Sequence, residues 1–173
     1  MYTQVEERTR VDQMIESAVA FCARKVFAGD TDRALAMLRQ GRCDVCDYLR
    51  YGLARQIGDY LGRTDSTIKA VYLFEGEPDE GNEPAPNSPA RASGISLIAW
   101  VDRKTAALSA LAAALETNLA HGRRAIGCPL ARPSCYFLDV HMVDDADIRD
   151  HRGYAAVLDG LHVRPLEVWT RHN

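Results

Sequence analysis

The sequence predicts an α+β (α/β-like) fold, with a helical N-terminal part in residues 1–65 packed on a small mixed sheet of about four strands and their helices in residues 66–173. Three observations predict it. Up to Leu61 the apolar residues recur every three or four positions, the period of a helix face. From Thr67 the pattern changes to short β-branched and aromatic runs bounded by turn residues. The composition, 47% hydrophobic and 26% charged over 173 residues, is that of a globular chain and excludes disordered, collagen-like and coiled-coil classes.

Each element follows from its residues. Val11, Met14, Ile15, Ala18, Val19, Cys22 and Val26 make one face of a first helix, which Gly29-Asp30 ends. Thr31 or Asp32 is expected to cap a short second helix running through Gln40, with Gly41 as its stop or a kink. Val45, Leu49, Leu53, Ile57 and Leu61 line the broad stripe of a third, and Gly62 to Ser66 is expected to break it. Ile68 to Phe74 reads as a strand. Gly76 to Ser93, with four of the seven prolines, reads as an exposed loop. Ile95 to Val101 is too apolar to have one face in water and is expected to be a central strand. Asp102 is the expected cap of a helix with Leu108, Leu111, Leu115 and Leu119 in a row and alanines that permit close packing. After a basic, proline-containing connection, Cys135 to Val143 alternates as a third strand. Asp145 to Gly160 reads as a polar loop with one short helix. His162 to Trp169 reads as a last strand, placed at a sheet edge by Pro165.

Charge and cysteine content narrow the function classes. With 21 basic and 24 acidic residues the net charge is −3, which argues against a globally basic nucleic-acid binder. The N-terminal stretch Met-Tyr-Thr-Gln-Val-Glu-Glu-Arg-Thr-Arg has no apolar core of an export signal, and no apolar run approaches a membrane span. A cytoplasmic protein with reduced thiols is therefore expected.

Five cysteines form two pairs and a remainder. Cys43-Asp-Val-Cys46 is a C-x-x-C, and Cys128 and Cys135 flank a turn-rich connection. Together the four could ligate zinc or an iron–sulfur cluster. Alternatively, Cys43 beside Arg42 near a helix start could be a redox thiol. Against both, Cys46 flanks the apolar stripe as a core thiol would, the second spacing does not repeat the short pair of a zinc ribbon, and no strand precedes the C-x-x-C. Cys22 lies on the first helix's apolar face.

The strings from Ile68 to Val143 carry a resemblance. Val71-Tyr72-Leu73-Phe74 is followed by Glu75-Gly76; Ser93-Gly94-Ile95-Ser96-Leu97-Ile98 opens the second strand; Leu138-Asp139-Val140 lies in the third. In this order they resemble the polymerase-beta-like minimal nucleotidyltransferase superfamily. There a helix leads into a strand ending Leu-Phe-Gly-Ser, a second strand carries Asp-x-Asp, and a third strand carries a further Asp. The resemblance implies a nucleotide cleft at Glu75, Gly76, Gly94 and Ser96. It also implies that the site is degenerate. Nucleotidyl transfer needs carboxylates to hold metal ions against a triphosphate, and alternate positions on a strand set two of them side by side. Gly94 and Ser96 supply none, Glu75 would repel phosphate, and only Asp139 remains. The expectation is a non-catalytic relative that needs no cofactor. It would bind a protein partner, itself or a nucleotide. The amphipathic N-terminal helices would offer a homodimer interface.

Other groups give weaker signals. Asp139 and His141 share a strand face, with Asp144, Asp145 and Asp147 beyond them. They are the candidates for residual catalysis or a relocated metal site, against the alternative that the acidic turn caps a short helix. His121, Arg123, Arg124 and Arg132 concentrate positive charge, as phosphate binding or ordinary helix-end compensation would.

Overall fold

The computed structural model describes residues 4–74, 94–127, 137–158, 160 and 165–171. Three helices come first: α1 (Gln4–Val26), α2 (Thr31–Arg39) and α3 (Cys43–Thr64). The chain reverses between α1 and α2 through two left-handed residues, Ala28 and Gly29. Asp30, one residue before the expected caps, holds the start of α2. Its backbone is extended and its carboxylate accepts the Arg33 N–H at 2.9 Å. The expected break at Gly62 does not occur, and α3 continues to Thr64, where the Asp65 N–H donates to the Leu61 carbonyl at 2.9 Å.

Four strands make one sheet: β1 (Ile68–Phe74), β2 (Ile95–Val101), β3 (Leu138–Asp144) and β4 (Leu166–Thr170). Their order is β3-β2-β1-β4, with β1 antiparallel to both neighbours and β3 parallel to β2. The sheet is therefore mixed, and β2 is central as its apolarity requires. Pro165 immediately precedes β4 at the sheet edge, where a missing N–H is tolerated. The expected first residues of the last two strands, at 135–136 and 162–164, lie outside the described residues.

A parallel pair needs a crossover, and α4 (Ala106–Ile126) supplies it between β2 and β3. Its cap is Thr105, not Asp102: the threonine hydroxyl accepts the Leu108 N–H at 3.1 Å. Asp102 sits three residues too early and instead receives Lys69 and Arg171, each at 3.3 Å. Beyond β3 the structure holds two short helices where one was expected, α5 (Asp145–Arg149) and α6 (Ala155–Leu158). A turn with positive φ at His151 and Gly153 separates them.

The two faces of the sheet have different fates. Ile95, Leu97, Ala99 and Val101 of β2, with Val71 and Leu73 of β1, join the stripes of α1, α3 and α4 in one core. Residues of alternate parity point the other way. There Ile98, Val143 and Ala155 form a second, smaller cluster flanked by Tyr72, Phe74 and Trp100. The helical N-terminal part thus shares its core with the sheet. Among the described residues, Tyr48, Tyr154 and Leu166 are the large hydrophobic side chains left exposed. The apolar stripes of α1 and α3 are turned inward.

Candidate functional site

The second face of the sheet holds the residues singled out from the sequence. In the parallel register of β2 and β3, Ser96 lies beside Asp139, Ile98 beside His141 and Trp100 beside Val143. Paired residues share a face, so Ser96, Asp139 and His141 stand together. Gly94 lies two residues before Ser96, just ahead of β2. Glu75, Gly76, Cys128, Cys135 and Arg132 lie outside the described residues, as do the loop at 75–93 and the side chains of Cys43, Arg123 and Arg124.

Asp139 and His141 are joined directly. The Asp139 carboxylate lies 3.0 Å from His141 Nε2, and the imidazole stacks on Tyr154 with centroids 3.4 Å apart and planes 15° from parallel. Tyr154 in turn meets the edge of Phe74 at 6.3 Å. Burial lowers the His141 pKa below its ordinary value, and the nearby Asp139 charge opposes that shift without cancelling it. The site therefore holds a neutral imidazole with one carboxylate beside it.

The neighbouring acids have structural partners. Asp144 caps α5 by accepting the N–H groups of Ala146 and Asp147, both at 3.0 Å, while the Asp147 carboxylate accepts the Asp144 N–H at 3.2 Å. This reciprocal pair is a capping box. Asp147 also pairs with Lys104, which holds its carboxyl below the usual carboxylate range. Asp145 accepts Lys69 at 2.7 Å and the Trp100 indole N–H at 2.8 Å. Of the four acids from Asp139 to Asp147 that could have formed one cluster, Asp139 alone is directed at His141. Among the described residues no group of three or more His, Cys, Asp or Glu side chains is arranged to hold a metal ion.

A cleft of about 560 Å³ surrounds this site. Its floor is the whole run from Leu138 to Val143. Ser109, Ala112, Ala113 and Glu116 of α4 form one wall, Arg152 to Tyr154 the other, and Lys104 and Asp147 close one end. No periodicity or motif points to Tyr154, Arg152 or Lys104, which reach the cleft through turns and a crossover. A second groove of similar volume lies between α1, α3 and β4, with Arg24, Arg55 and Arg63 beside Phe21 and Trp169.

Of the four cysteines considered as ligands, Cys46 is the one whose side chain is described. Cys46 is buried in the core, close enough to Cys22 to act on it electrostatically. Burial first, and Cys46 second, push the Cys22 thiol up to about 12. His121 is turned onto its own helix, its Nδ1 lying 2.7 Å from the Thr117 carbonyl. No helix among the described residues is long and apolar enough to cross a membrane. Comparison of the chain with protein-family models, with curated proteins and with solved structures gives no match.

Proposed function

We propose that this chain is a non-catalytic, nucleotidyltransferase-like module that works by association with protein. The observation that carries the reading is the pairing of Ser96 with Asp139 across β2 and β3. The resemblance requires carboxylates at 94 and 96 facing the carboxylate of the third strand. A hydroxyl and a hydrogen stand there, and one carboxylate cannot position two metal ions. The order from α3 to β3, helix, strand, strand, helix, strand, supports the resemblance on which this rests.

The charges of the cleft favour polypeptide over nucleotide. Lys104 and Arg152 are matched by Asp139, Glu116 and Asp147, so a triphosphate would meet three carboxylates. A backbone with mixed side chains would not be repelled. The free, buried thiol of Cys22 suits a reducing compartment such as the cytoplasm. Incubation with magnesium and each nucleoside triphosphate should release no pyrophosphate. Release that Asp139→Ala abolishes would overturn the reading.

The Asp139–His141 contact favours one second reading, a relocated enzyme site with a neutral imidazole as base and the carboxylate as its orienting group. It requires hydrolysis of some ester or phosphoester that His141→Phe abolishes and that rises with pH as the imidazole loses its proton.

A further inference from the structure

We propose that β3 pairs with β3 of a second copy of this chain, antiparallel and centred on Val140, so that each Asp139 stands across from His141 of the other copy. The inference rests on the reading of the protein as a module that works by association, and it names the partner.

Hydrogen-bond polarity shows what the strand offers. The Ile95 N–H donates to the Phe137 carbonyl at 2.8 Å, and Ile95 is in register with Leu138. In a parallel pair this directs the backbone of Asp139, His141 and Val143 towards β2. The N–H and C=O groups of Leu138, Val140 and Met142 point to the opposite edge, which pairs with no strand among the described residues. All six residues from Leu138 to Val143 line the cleft, so the open edge is its floor.

The two edges of the sheet are not equivalent. β4 is five residues long, follows Pro165 and is bulged against β1 at Val168, three features that discourage a further strand. β3 has seven residues, pairs with β2 without a bulge and contains neither proline nor lysine. From α4, the small side chains Ser109, Ala112 and Ala113 border the edge, and Glu116 is the one long side chain. A strand can approach.

Side-chain complementarity, a carboxylate set against an imidazole that can donate an N–H to it, selects a second copy and fixes its register. Strands in one continuous sheet pair residues of matching face. A two-fold centred on Asp139 would set carboxylate against carboxylate, and one centred on His141 would set Asp139 against Val143. Centred on Val140, the outward-directed Val140 residues form a hydrogen-bonded pair. Asp139 and His141 then fall in the two flanking non-hydrogen-bonded pairs, where opposed side chains are closest. A lone aspartate would protect this edge by repelling its copy. The histidine two residues on, on the same face, makes the strand complementary to itself.

The test uses the full chain. Sedimentation equilibrium should find a dimer. Val140→Pro should give a monomer with unchanged circular dichroism, because the N–H it removes is not one that β2 receives. His141→Asp should weaken the dimer at least about tenfold by opposing like charges, and the exchange Asp139→His with His141→Asp should restore it. Val140→Cys should form a covalent dimer on mild oxidation, since position 140 faces itself about 5.5 Å away between Cα atoms, while Met142→Cys should not. Should Val140→Pro fail to fold, the Val140→Cys cross-link decides. A chain that stays monomeric at about 0.1 mM, weaker than ordinary specific association, overturns the proposal. So does a dimer that Val140→Pro leaves intact and Val140→Cys does not cross-link, which would place the interface elsewhere. Either result leaves the non-catalytic reading standing, and pyrophosphate release would overturn that reading without touching the dimer.

Discussion

The indole of Trp169 lies over Gly62, in the space that a side chain there would fill. This contact explains why a glycine survives in the last turn of α3 and how the helical part is seated on β4. An exposed helical glycine changed to alanine usually gains about 1 kcal/mol. Here Gly62→Ala should lose about 1–3 kcal/mol, because the new methyl group must displace a packed ring. Urea unfolding would read this as a lower midpoint at unchanged slope. In a Trp169→Leu background the same substitution should cost nothing or stabilise, so the double-mutant cycle isolates the contact.

That contact also shows why part of the fold could be read from sequence and part could not. Helix faces and strand parity are local, and they placed α1, α3, β1 and β2 from spacing alone. Gly62 looked like a stop because its local propensity is poor; the reason it is tolerated is 107 residues away at Trp169. The caps failed similarly. Asp102 and Thr105 are both acceptable capping residues, and the choice of Thr105 depends on Lys69 and Arg171 claiming Asp102. In the candidate site, strand alternation predicted that Asp139 and His141 share a face. Tyr154, which covers His141, comes from a turn with positive φ that no periodicity reports.

Asp145 ties α5 to the sheet by accepting Lys69 and Trp100 together. Lys69 reaches it from the bulge where β1 carries one residue more than β2. The hydrogen bond from Lys69 first, and that from Trp100 second, hold the Asp145 carboxyl below the usual carboxylate range. A carboxyl lowered in the folded state contributes stability above its unfolded value of 3.8, and loses it as pH falls through the folded value. Asp145→Asn should therefore lower the urea midpoint at pH 6 and flatten its fall below about pH 4. Asp145→Ala, which also removes the acceptor for Trp100, should speed amide exchange over residues 145–149 further.

Cys22 should resist alkylation in the native protein. Its side chain is fully buried, its sulfur contacts the Val45 carbonyl at 3.7 Å, and its pKa of about 12 leaves almost no thiolate at pH 8. Mass spectrometry after a brief iodoacetamide pulse should find Cys22 unmodified when native and modified in urea. Native modification as fast as in urea would show that the α1–α3 core opens far more readily than its packing implies. Cys22→Ser should destabilise by about 1–3 kcal/mol, because a hydroxyl in that apolar site loses water and gains one carbonyl at most.

His141 should make the protein less stable as pH falls through the range in which an ordinary histidine titrates. In the unfolded chain the imidazole takes its proton near its ordinary value of 6.5; in the folded chain burial holds that proton off until lower pH. Between the two values unfolding takes up a proton, so acid favours the unfolded state. The stability is fully present above 6.5 and declines below it until the folded imidazole also titrates. Urea midpoints at about pH 7.5, 6.5 and 5.5 should fall in that order for the native sequence. His141→Phe keeps a ring against Tyr154 and has nothing to titrate, so its midpoints should fall less. Asp139→Asn acts in the opposite sense: it removes the charge that pulls the pKa upward, and the loss towards pH 5.5 should become steeper. Midpoints that rise on acidification in the native sequence, and level off in Asp139→Asn, would mean that the carboxylate outweighs burial and that the site holds an imidazolium.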